Sequence, residues 1–128
     1  LRVPLLTIIL RKSYGLGAMA MAGGGFRVPF FCAAWPTGEF GGMGLEGQVK
    51  LGFRKELLAI EDIEKRRARF DDLVAAAYER GKALNSATNF EVDDVIDPAD
   101  TRERLARARD ELENREHPVA ARRSIDTW

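Results

Sequence analysis

The stretch VPLLTIILRKSYGLGAMAMAGGG (residues 3–25) decides how the rest of the sequence is interpreted. Its first nine residues are apolar almost throughout, which is the pattern of a strand buried on both faces of a parallel sheet. The following residues, 12–26, contain five glycines and three alanines. We therefore expect a strand at 3–11 and a short helix of small residues at 17–23, which the glycines at 23–25 end.

Composition restricts the possible functions. A chain of 128 residues can form one small domain with a hydrophobic core. Its twenty basic and twenty acidic residues cancel, so the overall charge favours neither a nucleic acid nor an anionic membrane as partner. The single cysteine, Cys32, and the single histidine, His117, exclude an internal disulfide and a histidine-based metal site, and we predict no metal. The apolar run at 3–11 is too short to span a bilayer and lacks the features of a signal peptide.

The remaining pattern alternates between strands and helices. Apolar residues recur at intervals of three and four from Ile60 to Ala77, as in an amphipathic helix, and Asp97-Pro98 is typical of a helix start. The predicted elements are a strand at 29–35, a short strand at 39–43, a helix from about 44 to 58, a helix from 60 to 81, a strand at 90–96 and a helix from 98 to about 115. This order indicates an α/β fold.

The glycine-rich stretch has two interpretations, and the residues alone leave both open. One is close packing of a helix on a strand. The other is a helix N-terminus after a buried strand, with amide N–H groups near Gly17 and Ala18 directed at negative charge. Because the sequence matches neither G-x-G-x-x-G nor G-x-x-x-x-G-K-[ST], an oxyanion is favoured over a phosphate.

Other candidate residues favour structural roles. Cys32 lies within an apolar strand, so we expect a buried, unreactive thiol. The acids of EVDDVIDPAD (residues 91–100) are predicted to form a polar strand face and a helix cap, and His117 a solvated surface residue. Tyr14 either shapes a pocket or packs on the turn, and the sequence does not decide between the two.

Four segments together resemble a known family. They are VPLLTIILRKSYGLGAMAM (3–21), AAWPTGEFGGMGLEGQVKLGFRKEL (33–57), AAAYERGKA (75–83) and VDDVIDPADTRERL (92–105). In this order and at about this spacing, they resemble the carboxyltransferase (beta) subunits of biotin-dependent acyl-CoA carboxylases of the acetyl-, propionyl- and methylcrotonyl-CoA type. The resemblance covers roughly residues 3–112.

The resemblance implies a crotonase-like α/β fold, of which this chain would form part of the C-terminal, biotin-side subdomain. Residues 1–116 would belong to that subdomain and residues 117–128 would be a C-terminal tail. The implied activity is transfer of a carboxyl group from carboxybiotin, held on a separate carrier protein or domain, to an acyl-CoA. We expect the chain to be the C-terminal piece of a longer protein and to be inactive in isolation.

The resemblance also implies partners and a location. These are a biotin carboxylase and biotin carrier subunit, a homo-oligomer that is typically a hexamer in the family, and the cytoplasm. No nucleic acid and no membrane are expected.

The family's biotin oxyanion hole aligns with the glycine-rich turn. With one inserted residue, the amides of Gly17 and Ala18 would form it, and we favour this alignment because a glycine then precedes the helix; without a gap, those of Leu16 and Gly17 would form it. Many relatives carry an acid within this motif that helps to set the acyl chain, whereas Met19 and Ala20 supply none, so the substrate is not assigned. The cofactor-binding residues implied by the resemblance are Tyr14, Gly15, Met19, Ala20, Met43 and Gly44.

Two further hypotheses remain. One is another crotonase-fold acyl-CoA enzyme, such as a hydratase or a decarboxylase. The other is a non-catalytic assembly partner of a carboxylase.

Overall fold

The computed structural model describes residues 3–114, and within them the chain alternates short strands with helices. The strands are β1 (Leu6–Ile9), β2 (Lys12–Tyr14), β3 (Phe31–Ala34), β4 (Glu39–Gly41) and β5 (Asp94–Val95). The helices are α1 (Gly15–Met21), α2 (Leu45–Gly52), α3 (Arg54–Leu58), α4 (Ile63–Arg80), α5 (Ala83–Thr88) and α6 (Thr101–Glu113), with a 3₁₀ turn at Pro98–Asp100. The predicted α/β class is confirmed, and His117 and the tail at 117–128 lie outside the described residues.

A three-stranded parallel sheet of order β1-β3-β5 forms the centre of the fold. The central strand β3 is fully buried at Cys32, Ala33 and Ala34. Its small side chains let the neighbouring layers approach closely, and Phe40 and Val92 are among the apolar side chains packed in the same core. This confirms the buried strand predicted at 29–35.

The first strand is shorter and more exposed than its sequence predicts. It runs from Leu6 to Ile9, and most of its side chains are only half-buried. The prediction of burial on both faces is wrong for the described part of the chain, because β1 pairs there only with β3 and lies at the sheet edge.

A second, two-stranded parallel sheet pairs β2 with β4, placing Lys12 opposite Glu39 and Tyr14 opposite Gly41. Strand β4 is the short segment predicted at 39–43, but β2 was not predicted as a separate strand. A three-residue strand shows too little periodicity to be recognised. This small sheet carries the chain from β1 directly into α1.

Helices α2 and α4 pack together over a second apolar cluster that includes Leu45, Val49 and Leu73. The helix predicted at 44–58 is broken at Phe53 into α2 and α3. Helix α4 starts at Ile63 because the Asp62 side chain accepts hydrogen bonds from the first-turn amides, and it ends before Gly81 as predicted.

The C-terminal elements follow the prediction with two differences. The strand predicted at 90–96 contracts to Asp94–Val95, and helix α5 was not predicted. Asp97 caps the 3₁₀ turn through Ala99 N–H at 2.8 Å, as the Asp-Pro pair predicted. The indole N–H of Trp35 donates to Thr101 Oγ1 at 2.9 Å, which fixes the start of α6 against the end of β3.

Candidate functional site

A cavity of about 740 Å³ lies beside the start of α1. Much of its wall is bare backbone, contributed by Gly15, Gly24, Gly25, Gly41, Gly42 and Gly81. Its polar side chains are Ser13, Arg27, Arg80, Ser86, Asn89 and Glu91. Apolar side chains, among them Met19 and Phe40, complete the lining. The cavity therefore presents main-chain groups and a mixed polar rim to a ligand.

At Gly15, the cavity wall leaves no room for any larger residue. Gly15 has φ +63°, and a Cβ built there would lie 2.9 Å from the carbonyl oxygen of Gly42. The left-handed conformation and the contact both require glycine. At Gly24 and Gly42, by contrast, a Cβ would meet nothing within 4 Å, so the backbone is open there.

Helix α1 begins immediately after β2, with Tyr14 in an extended conformation. The predicted start at Gly17 is wrong by two residues, because the left-handed Gly15 turns the chain directly from strand into helix. The amides at the N-terminus of an α-helix lack intrahelical acceptors, and with Tyr14 as the N-cap residue these extend as far as Leu16 and Gly17. The Ala18 amide is the first to have an intrahelical acceptor, the carbonyl of Tyr14, so the helix start favours the pair Leu16 and Gly17 over Gly17 and Ala18. Leu16 and Gly17 are exposed, and Gly17 has open space around it.

The residues predicted for the site divide between the cavity and its surroundings. Gly15 and Met19 line the cavity. The remaining predicted residues, including the proposed oxyanion donors, are not among the residues that line it. They lie at the end of β2, on α1 or on the loop at 41–44, and are Tyr14, Leu16, Gly17, Ala18, Ala20, Met43 and Gly44. That loop does border the cavity, but through Gly41 and Gly42.

Tyr14 packs away from the cavity, against the cluster beneath α2 and α4. Its hydroxyl donates to Glu39 Oε2 at 2.7 Å. Burial and the neighbouring carboxylate of Glu39 raise its pKa far above the ordinary tyrosine value. Of the two roles left open for Tyr14, packing on the turn is the one observed.

A second tyrosine–carboxylate pair lies beside the first. The Tyr78 hydroxyl donates to Glu46 Oε1 at 2.6 Å. This bond lowers the pKa of Glu46 and raises that of Tyr78, and Lys12 and Lys50 add to the lowering at Glu46. Sequence reasoning missed both pairs, because their members are 25 and 32 positions apart.

The polar rim of the cavity was also missed. Arg27 Nε donates to the Phe90 carbonyl at 3.1 Å, which connects the segment after α1 to the segment after α5. No motif marks Arg27, Arg80 or Glu91 in the sequence, so only the fold brings them together.

Cys32 has the predicted structural role. It is fully buried, and burial raises the pKa of its thiol to about 11. Its amide donates to Asp93 Oδ2 at 2.8 Å, so this acid bonds to β3 and does not form part of a free polar face.

Comparison with known proteins shows the family to which this fold belongs. The methylmalonyl-CoA carboxyltransferase 12S subunit of Propionibacterium freudenreichii subsp. shermanii is 39% identical over 106 residues, covering 83% of this chain and 20% of the relative. The model of the carboxyl transferase domain family matches residues 1–125. The chain belongs to this family.

Solved structures agree with that assignment. A crystal structure of transcarboxylase 12S, described as a hexamer assembly with methylmalonyl-coenzyme A bound, superimposes with a TM-score of 0.79 at 32% identity, over 98% of this chain and 24% of that one. A single-chain, multi-domain long-chain acyl-CoA carboxylase has a TM-score of 0.69 at 62% identity, over 83% of this chain and 10% of that one. The expected crotonase-like fold is confirmed.

The chain spans about a fifth of the length of the curated relatives it matches. Among the helices at residues 3–114, none is long and apolar enough to cross a membrane.

Proposed function

We propose that this chain is the biotin-side part of an acyl-CoA carboxyltransferase and that it supplies a backbone oxyanion hole at the start of α1. The observation that carries the proposal is membership of the carboxyl transferase domain family across residues 1–125. In the described structure, a glycine-walled cavity lies at the same turn. Because the chain covers a fifth of the length of this relative, we assign the whole reaction to a subunit of the relatives' length and only the biotin-side part of it to this chain.

The residues present fit a biotin head group. Gly24 and Gly42 line the cavity without a side chain, and a Cβ at either would project into open space. The planar ureido ring of such a head group could therefore lie directly against the main chain. The apolar side of such a group would meet Met19 and Phe40, which also line the cavity.

The first-turn amides of α1 provide the chemistry that this chain supplies. Bound biotin would carry the carboxyl group and provide the base that takes the proton next to the thioester. The amides of Leu16 and Gly17, which have no intrahelical acceptors, would hold a developing negative charge on an oxygen, helped by the positive end of the helix. The alternative pair, Gly17 and Ala18, would require the Ala18 amide to leave the Tyr14 carbonyl. Gly15 fixes the direction of these amides, since only its left-handed conformation joins β2 to α1 without a linker.

The proposal assigns no acid–base pair to this chain, because the cofactor would supply the base. Tyr14 and Tyr78 donate hydrogen bonds to Glu39 and Glu46, and none of these four residues lines the cavity. The protein's task is placement, exclusion of water and electrostatic stabilisation, while proton transfer belongs to the cofactor. Gly15, Met19, Ala20, Met43 and Gly44 form the proposed biotin-binding surroundings of these amides, and Tyr14 supports them from outside the cavity.

The substrate is an acyl-CoA. Met19 and Ala20 supply no acid beside the amides, which is compatible with an acyl chain without a charged or polar group. The proposed partners are a biotin carboxylase and a biotin carrier subunit together with further copies of the same subunit. A cytoplasmic location fits these partners and the single, buried cysteine.

One experiment separates this proposal from its alternatives. An antibody against the chain, used on a lysate of source cells, would give the mass of the native polypeptide, and the purified native protein would then be assayed. A polypeptide several times larger than 14.3 kDa that moves carboxyl from biotin to an acyl-CoA supports the proposal. Hydration of enoyl-CoA, or decarboxylation without carboxyl transfer, would support another crotonase-fold enzyme.

A native band at 14.3 kDa that associates with a carboxylase without altering its turnover would support the assembly-partner hypothesis. The isolated chain is expected to show no transfer, and transfer by the chain alone would contradict the proposed division of the active site.

A further inference from the structure

Four side chains connect the elements that border the cavity. They form what we call the tyrosine–glutamate network, consisting of Glu39 on β4, Tyr14 on β2, Tyr78 on α4 and Glu46 on α2. The two hydroxyl–carboxylate bonds measure 2.7 and 2.6 Å. Each tyrosine also interacts electrostatically with the glutamate of the other pair, so the pairs form one cluster.

Tyr14 is the residue directly before Gly15, and opposite it in the small sheet is Gly41. A Cβ at Gly41 would lie 3.5 Å from the Tyr14 ring and 2.8 Å from Leu45. The ring therefore fills the space between β4 and the start of α2. Its hydroxyl bond to Glu39 then ties β2 to β4 immediately before the turn into α1.

The second bond acts at the other end of the same loop. Glu46 lies in the first turn of α2, directly after the loop at 41–44, and Tyr78 lies in the long helix α4. Helix α4 packs on α2 through the apolar cluster that includes Leu45 and Leu73. The bond between Tyr78 and Glu46 therefore holds the beginning of α2 against α4, the longest helix among the described residues.

We propose that the tyrosine–glutamate network positions the backbone of Gly15 and Gly42 at the cavity wall. A Cβ built on Gly15 would lie 2.9 Å from the carbonyl oxygen of Gly42, so the turn after β2 and the loop at 41–44 are in close contact. Both glycines line the cavity, and a movement of either segment therefore changes its wall. The network residues are positioning residues, because none of them lines the cavity. The importance of the network for carboxyl transfer rests on the proposed function, whereas the geometry of the network does not depend on it.

The test follows the backbone amides of Gly15 and Gly42 by ¹H–¹⁵N NMR in the 128-residue chain. Tyr14→Phe removes only the hydroxyl and keeps the ring. The matched control is Thr101→Val, which removes a hydroxyl bonded to Trp35 and Pro98 in a different part of the fold. We expect Tyr14→Phe to shift both glycine amides and Thr101→Val to shift neither. Unmoved glycine amides in Tyr14→Phe, or equal shifts in the control, would overturn the proposal.

Glu46→Gln provides a second variant, since it keeps an acceptor oxygen but removes the charge. It should shift the Gly42 amide more than any amide of α6, and an unchanged Gly42 would overturn the proposal even if Tyr14→Phe failed to fold. Both measurements use the chain without biotin or acyl-CoA. If the amide shifts are as expected but the native protein transfers no carboxyl group, the proposed function is rejected and the positioning role of the network stands.

Discussion

Replacing Gly15 by alanine tests whether the turn into α1 depends on a bare backbone. The residue has φ +63°, which costs an L-residue about 1–2 kcal/mol. The added Cβ would also lie 2.9 Å from the Gly42 carbonyl oxygen, a backbone atom that cannot rotate away. Alanine also lowers the conformational entropy of the unfolded chain, which stabilises the folded state by only about 0.4–1 kcal/mol. We therefore expect a net loss of about 1 kcal/mol in the free energy of unfolding from the backbone conformation, and the contact with Gly42 adds to this loss.

Gly17 provides the matched control two residues further along the same helix. A Cβ at Gly17 meets nothing within 4 Å, and its φ lies outside the left-handed region. Alanine is favoured over glycine in a helix by up to about 1 kcal/mol, so Gly17→Ala should stabilise the chain slightly. Urea denaturation followed by circular dichroism gives both free energies, provided that the slope with denaturant is unchanged. Equal effects of the two substitutions, or a neutral Gly15→Ala, would refute the proposed role of Gly15 in the turn.

Three further outcomes follow from individual contacts. Asp62→Ala should cost about 1 kcal/mol of unfolding free energy, because the side chain accepts from the amides of Glu64 and Lys65, and thermal denaturation measures this loss. Cys32 should react negligibly with an alkylating reagent at pH 8 in the folded chain and rapidly in urea, since burial raises the pKa of its thiol to about 11; fast labelling of the folded chain would contradict this. The pKa of Tyr14 is raised in the folded state, so its stabilising contribution is complete below the unfolded value of about 10 and decreases as pH rises toward the folded value. Urea denaturation between pH 8 and 11 should therefore show a loss of stability above pH 10 that is smaller in Tyr14→Phe, and an equal loss in both would exclude this origin.

The sequence predicts the long and strongly patterned elements well. The apolar run of β3, the three-and-four spacing of α4 and the Asp-Pro start before α6 each contain enough residues to define their structure. Strand β2 and helix α5 were missed because three and six residues carry too little periodicity.

The site was predictable only as a location. A glycine-rich stretch after a strand indicates close backbone approach, but alternating glycines at 15 and 17 do not reveal which one needs a positive φ. The structure shows that it is Gly15, through its contact with Gly42. The hydroxyl–carboxylate pairs of Tyr14 and Tyr78 join residues far apart in the chain, so no local pattern could predict them.

A proline scan of the first turn of α1 tests the central claim most directly. Proline at Leu16 or Gly17 removes a backbone N–H that has no intrahelical acceptor, so each substitution deletes a proposed oxyanion donor in the first turn, where helices tolerate proline best. Proline at Ala18 also removes the first intrahelical bond, to the Tyr14 carbonyl. Carboxyl transfer would be measured in the native protein that contains this chain, with Ala18→Ser as the control that keeps its amide.

We predict that Gly17→Pro lowers turnover by about 10²–10³, the typical cost of one oxyanion-hole donor. A comparable loss in Leu16→Pro would identify the pair as Leu16 and Gly17, whereas full turnover in Leu16→Pro would leave Gly17 and Ala18 as the pair. Full turnover in all three folded proline variants would contradict the account.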